Sequence, residues 1–319
     1  SDLPAARAAA KAHGTQGRVT NPSIAIATPS YAGDLERCRL LCASIDRFVS
    51  GHAMHYLRVE DRDLPLFASL AGPRRQVLPE SALLPRWLSS WPDPLSLGRR
   101  RVWTGPGALV RGIPPLRGWH AQQLRKLALP LKSHEDIVLF ADSDMIFLRP
   151  FDVTSLSTAD GVRLYRKPGG ITREMERHRG WCEVASRLLG LPQPAFPSAD
   201  YINNLVSWRR DNIVAMMARI EQVTGRDWVS AIAANRQFSE YMIYGYFVED
   251  VRGLAEAGHW PDAHEPCKVF WFDEDVADLE GLRSFEEVLG PGQVAVGVQS
   301  FTGVPLARLR ALAEVGPGR

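Results

Sequence analysis

The segment Asp142-Ser143-Asp144 places two carboxylates two positions apart, between the apolar runs Ile137–Ala141 and Met145–Phe147. On a strand, where side chains alternate with period two, both acids point to the same face. Carboxylates that close repel each other unless a proton or a cation lies between them. A hard divalent ion with oxygen ligands, Mn²⁺ or Mg²⁺, is the expected guest, and such ions commonly carry a substrate phosphate. A solvated strand end bearing two acids is the plainer alternative, so the rest of the chain has to decide.

Three other groups of residues could do chemistry. Thr28-Pro29-Ser30-Tyr31 follows a short apolar strand and precedes a helix, the place where open α/β sheets bind nucleotides. Hydroxyls and an aromatic ring there suit a ribose and a base. Gln122 and Lys126 lie one turn apart on the polar side of a helix that leads into the Asp-x-Asp strand, where a lysine could neutralise a diphosphate. Glu240, at the start of a helix within Phe238-Ser239-Glu240-Tyr241, sits where a carboxylate can serve as general base or nucleophile. The same position is also favourable to any acid, through the positive end of the helix dipole. Tyr241, Tyr244, Tyr246 and Phe247 form an aromatic wall against which a sugar stacks, or a piece of core.

The elements that must hold these residues follow from periodicity. Ser23–Thr28 reads as a strand, and Leu35, Cys38, Cys42, Ile45 and Val49 mark a helix at steps of three and four. His55–Val59 is a second strand closing on Glu60-Asp61, and a β-α-β opening argues for a parallel sheet. Residues 72–118 are rich in Pro, Gly, Arg and Trp with little periodicity, a long irregular stretch of the kind that is usually functional or mobile. A helix is expected over Trp119–Leu131, and the Asp-x-Asp strand follows.

Further on, Gly161–Tyr165 reads as a strand, Trp181–Leu189 as a helix capped by Gly190, and Ser198–Trp208 as strand-like. A helix over Asp211–Val223 comes next, then one from Phe238 that Ser239 can cap, and a strand and turn over Val294–Thr302. Residues 1–22 are expected to be a leader with a frayed helix. The reading is of an α/β chain: a Rossmann-like nucleotide-binding lobe over 23–152, continuous with an acceptor-binding and catalytic lobe over 153–319.

Bulk properties narrow the classes. The chain has 319 residues, 45% hydrophobic and 23% charged, enough to bury a substantial core. A net charge of +2 is too mild for a nucleic-acid partner. Local basic clusters exist at Arg99-Arg100-Arg101 and at Arg163 with Arg166-Lys167; they suit phosphates or an anionic membrane surface, although a solvated loop is the default for the first. No run approaches the roughly 18–20 apolar residues of a membrane span, and the start of the sequence lacks the charged-then-apolar layout of a secretory signal. The four cysteines, Cys38, Cys42, Cys182 and Cys267, have no metal-finger spacing and read as buried free thiols of a cytoplasmic protein.

In order along the chain, these pieces resemble the A-type fold (GT-A) of nucleotide-sugar glycosyltransferases, over roughly residues 23–302. The likeness is to a bacterial glycosyltransferase-like group with the patterns G-W-x-x-Q-Q-x-x-K-L, D-S-D and S-E-Y-x-x-Y-G. Here they read Gly118-Trp119…Gln122-Gln123…Lys126-Leu127, Asp142-Ser143-Asp144 and Ser239-Glu240-Tyr241…Tyr244-Gly245. The resemblance implies transfer of a sugar from a nucleoside-diphosphate donor to an acceptor hydroxyl, with a glycan or lipid-linked acceptor and a site at the cytoplasmic face of the membrane.

It implies that Asp142 and Asp144 hold Mn²⁺ or Mg²⁺ against the diphosphate, beside Ser143, Gln122 and Lys126. Thr28, Ser30 and Tyr31, with Glu60 or Asp61, would receive base and ribose. Glu240 would be the catalytic carboxylate, and Asp200, Trp208, Tyr241 and Tyr244 would line the acceptor side. Many relatives add a late histidine to the metal, and His259 and His264 are the late histidines here.

Other classes fit less well. An Asp-x-Asp phosphatase or phosphotransferase generally has Thr or Val directly after the second acid, where this chain has Met145-Ile146. A nucleotidyltransferase would show a glycine-rich basic loop after the first strand. A sugar-binding module without turnover would be expected to have lost one of Asp142, Asp144 and Glu240.

Overall fold

The computed structural model describes residues 22–96, 100–271, 279 and 282–314. The expected leader over 1–22 therefore lies, apart from residue 22, outside the described residues, as does Arg99.

The chain is mixed α/β, and its main sheet is mostly parallel. It opens with β1 (Ile24–Pro29), α1 (Leu35–Phe48), β2 (Met54–Val59) and β3 (Arg75–Pro79). Residues 72–118 are not featureless: β4 (Ser89–Pro92), β5 (Arg101–Thr104) and β6 (Leu116–Arg117) form a small antiparallel sheet. Its strands read Ser-Ser-Trp-Pro, Arg-Val-Trp-Thr and Leu-Arg, too short and too mixed in character for an apolar period to show. Then come α2 (Gly118–Ala128) and β7 (Ile137–Phe140). The helix expected to reach Leu131 gives way to a 3₁₀ turn at Leu129, because Pro130 cannot supply the N–H that another α turn needs.

The Asp-x-Asp segment corrects the expectation of one strand with both acids on one face. β7 ends at Phe140, residues 141–144 turn, and β8 (Met145–Phe147) joins a different sheet, antiparallel to Ala295–Val298. Met145 N–H bonds back to Asp142 O at 3.2 Å. Two carboxylates gathered by a turn can approach one point from different directions.

In the second half, the helix capped by Gly190 is α3 (Glu176–Leu189), with Gly190 in the left-handed conformation (φ 69°) as its C-terminal stop requires. The strand-like Ser198–Trp208 is two pieces, Ser198–Asp200 and β9 (Val206–Arg209), separated by a bend in which Leu205 has φ 60°. α4 (Arg210–Thr224) and α5 (Glu240–Tyr246) follow as expected, but Ser239 makes no side-chain capping bond to α5. Toward the end, β10 (Cys267–Phe270) pairs in parallel with β11 (Ala295–Val298).

The main sheet has the order β9-β7-β1-β2-β3, parallel except for β9. β9 comes from the second half and pairs with β7 of the first, so both halves share one sheet. Alternation sorts the core residues. Ile24, Ile26, Ile137 and Leu139 pack with Leu41 and Ile45 of α1 on one face. Ala25, Ala27, Val138 and Phe140 pack with Leu124 and Leu127 of α2 on the other. With both faces covered, β7 and the first four residues of β1 are apolar on both sides. Among the described residues no helix is long and apolar enough to cross a membrane. All four cysteines are buried free thiols.

Candidate functional site

The chain leaves β1 toward β2 on one side, while β7 lies on the other. At such a reversal the loops beyond the strand ends separate and leave a crevice. A cleft of about 540 Å³ lies there, lined by Ser30 and Tyr31 after β1, Glu60 after β2, Asp142–Asp144 after β7, and Trp119, Gln122 and Arg125 of α2. Ser300, from the far end of the chain, closes the Asp144 side.

The Asp142–Asp144 turn is fixed from outside. Val298 N–H donates to Asp144 O at 3.1 Å, and Ser300 N–H donates to Asp144 Oδ2 at 3.3 Å. Asp144 Oδ1 has no hydrogen-bond partner although it is buried. Burial foremost, then the charges of Asp142 and Asp34, push the Asp144 carboxyl up to about 7. Asp34, which the sequence reading passed over, also lines the cleft and accepts the Ser143 hydroxyl at 3.4 Å.

A carboxylate oxygen without a partner beside a second acid is a setting a divalent cation would relieve. The donor set of Asp142 and Asp144 is all oxygen, as Mg²⁺ and Mn²⁺ prefer. Among the described residues no cluster of three or more His, Cys, Asp or Glu side chains is placed to hold a metal. Asp142 and Asp144 would supply two carboxylates to such an ion, leaving its other positions open. Neither late histidine contributes. His259 donates from Nδ1 to Val162 O at 2.8 Å and accepts the Tyr244 hydroxyl at 2.7 Å, deep in the core. His264 does not line the cleft.

Lys126 corrects the expectation of a residue on a polar helix face. It is buried, its ammonium 2.9 Å from Asp142 Oδ1, 3.7 Å from Glu240 Oε1 and 2.9 Å from the Tyr241 oxygen. Burial alone would lower its pKa; Asp142 first, then Tyr241 and Glu240, outweigh burial and raise it well above the ordinary lysine value. The ammonium therefore stays charged. Glu240 is also buried, and desolvation pushes its carboxyl up to about 7 against the pull of Lys126. Its backbone N–H donates to Gln123 Oε1 at 3.0 Å, so Gln123 rather than Gln122 anchors the start of α5; Gln122 faces the cleft.

The remaining expected residues are placed as follows. Thr28 is fully buried and bonds His55 Nε2 at 3.0 Å, facing away from the cleft. The Nδ1 of that histidine accepts from Arg75 Nε at 2.9 Å, which fixes the tautomer that donates to Thr28. Glu60 lines the cleft but its Oε2 already accepts from Arg62 at 2.9 Å. Asp61 instead takes the Ser81 backbone N–H at 3.0 Å.

Trp208 and Tyr244 are core, not acceptor wall: their rings stack at 4.7 Å, and each is at most 1% exposed. A strand that pairs with β7 must turn alternate side chains into the layer beneath, and this puts Trp208 against Phe140. Asp200 is half-buried, turns its Oδ1 onto the Ile202 N–H at 2.9 Å, and does not line the cleft.

The sequence reading offers Arg100 and Arg101 to phosphates or a membrane surface, with a solvated loop as the default, and passes over Arg62, Arg117 and Arg125. Arg62, Arg100, Arg101, Arg117 and Arg125 line the end of the cleft away from Asp144, with Asp93 and Trp103. Arg125 lies 2.5 Å from Glu80 Oε2, and Trp103 Nε1 donates to the same carboxylate. The clustering of arginines over residues 99–117 was the available signal, and it reads by default as a solvated loop.

No curated protein matches the chain. Residues 23–314 match the model of the family of unknown function DUF6492, and the chain belongs to that family.

Proposed function

We propose that the chain is a metal-dependent glycosyltransferase with an A-type fold, moving a sugar from a nucleoside-diphosphate donor to a hydroxyl of a glycan or lipid-linked acceptor. One observation carries the reading. Asp142 and Glu240, which the resemblance pairs as metal ligand and catalytic carboxylate, meet at the same lysine. The cleft at the ends of β1, β2 and β7 supports it, with Ser30 and Tyr31 on the side suited to base and ribose.

Asp142 and Asp144 would hold Mn²⁺ or Mg²⁺, which when bound offsets charge developing on the diphosphate leaving group. Lys126 stays protonated and keeps Asp142 and Glu240 from repelling each other. A Glu240 carboxyl that titrates near 7 is matched to taking a proton from an acceptor hydroxyl at neutral pH.

A second reading rests on the fact that Glu240 does not line the cleft. A protein that binds nucleotide sugar without transferring it would place its carboxylate that way. A panel of nucleotide sugars with Mn²⁺, scored by donor hydrolysis, separates the two. Hydrolysis of one donor that is lost in Glu240→Gln supports the transferase. Donor binding without hydrolysis across the panel sinks it.

A further inference from the structure

Arg58, on β2, is 2% exposed, and none of its three guanidinium nitrogens has a hydrogen-bond partner among the described residues. A buried guanidinium with all its donors idle is costly unless something neutralises it. Its surroundings make matters worse. Desolvation first and then the Arg125 charge pull its pKa down to about 9, and Glu80 opposes them only in part. Glu80 is itself committed to Arg125 and Trp103. Arg125 reaches the cleft with its own Nε unpartnered.

Above this pair, Arg100 and Arg117 line the cleft and have no ion pair among the described residues. Arg62 and Arg101 converge on one oxygen of Glu60, at 2.9 and 3.8 Å. Arg62 also lies 3.7 Å from Asp63 Oδ1, and among the described residues the only other acid lining this end of the cleft is Asp93. The positive charge thus exceeds the negative by more than one carboxylate could offset.

We infer that the arginine end of the cleft is an anion site for a phosphoryl group of the substrate, separate from the Asp142–Asp144 end and independent of a metal ion. Guanidinium forks match phosphate oxygens in pairs, and a phosphoryl group carries the multiple charge that the surplus calls for. The inference rests on the cleft being a substrate site, not on which donor it takes. The phosphoryl group belongs either to the donor diphosphate or to a phosphorylated acceptor.

The test is calorimetric titration of the full chain with inorganic pyrophosphate in the presence of a chelator. Pyrophosphate is expected to bind without a divalent ion and to keep its affinity within threefold in Asp144→Asn. It should lose at least tenfold in Arg117→Gln, a surface change that leaves folding intact. Arg58→Met should weaken binding as well while raising the melting temperature. Binding that requires Mn²⁺, or that is unchanged in both arginine variants, overturns the site.

Adding a nucleoside diphosphate with Mn²⁺ then identifies the source. Displacement of pyrophosphate assigns the arginines to the donor, and simultaneous binding assigns them to a phosphorylated acceptor; either outcome upholds the site. Metal-free pyrophosphate binding by a protein that hydrolyses no nucleotide sugar would keep the anion site and remove the transferase reading. Donor hydrolysis without such binding would do the reverse.

Discussion

Gln123 Oε1 accepts the backbone N–H of Glu240 at 3.0 Å, across 117 residues of chain. The first turn of a helix has N–H groups with no partner inside the helix, and here α2 supplies one. Gln123→Leu leaves that buried N–H unsatisfied, at a cost of about 1–3 kcal/mol. Urea unfolding checks the value, and a loss under about 0.5 kcal/mol would show that the contact is not an anchor. Under the transferase reading the same variant lowers kcat and leaves KM for the donor nearly unchanged.

Lys126→Met removes the cation shared by Asp142 and Glu240. Breaking a buried ion pair on one side costs roughly 3–5 kcal/mol. The loss should depend on pH. Without the ammonium, the Glu240 carboxyl, already at about 7, rises further. A carboxyl raised above its unfolded value holds a proton that the unfolded chain releases, so stability is lost as pH rises through that window. The destabilisation is expected to be larger at pH 8 than at pH 5. Equal losses at both values in parallel denaturant titrations would refute it.

The same sign governs Asp144, whose carboxyl is moved from 3.8 to about 7 by burial and by Asp142 and Asp34. Stability tied to this group is complete below the unfolded value and falls until pH reaches about 7. Asp144→Asn, which cannot ionise, should therefore stabilise the metal-free protein at pH 8, by on the order of 4 kcal/mol. At pH 4 it should have little effect. Mn²⁺ should stabilise the wild type at pH 8, by about 2.7 kcal/mol at a hundred times its Kd, and leave the variant unmoved. A variant less stable than the wild type in chelator at pH 8 would contradict this account.

His259 has the opposite sign. Burial lowers it from 6.5 to about 4, so its contribution is intact above 6.5 and is lost as pH falls toward 4. Full loss is on the order of 3 kcal/mol. His259→Gln should cost stability at pH 7 and flatten the melting-temperature profile between pH 6.5 and 4 relative to the wild type. A variant profile as steep as the parent's would show that other groups set that slope.

Residues whose neighbours lie within a few positions were legible in the sequence. The strand at Ile24, the helices behind Leu35 and Glu240, and the stop at Gly190 follow from local pattern. Lys126 was misplaced because its partners stand 16 and 114 positions away, and periodicity reports only that lysine is polar. The Asp142–Asp144 segment read as one strand because apolar residues flank it on both sides; the two flanks belong to different sheets. The resemblance puts Trp208 and Tyr244 on the acceptor side, with core left open for Tyr244, because an aromatic ring suits a sugar and a core equally. Gly245 is a case where only the packing explains the residue: a methyl there would run into the Tyr201 ring.

The pairing of β9 with β7, and of β8 with β11, bears on synthesis of the chain. Both strands that flank the Asp142–Asp144 turn wait for partners made later, one ending at Arg209 and the other at Val298. A nascent chain that has emerged only as far as Asp152 would present β7 as an open edge and the two acids on an untethered turn. Sequence-distant pairing of this kind slows folding and leaves strand edges unpaired in the interval. The carboxylate turn therefore takes its final form only once residues through Ser300 have left the ribosome.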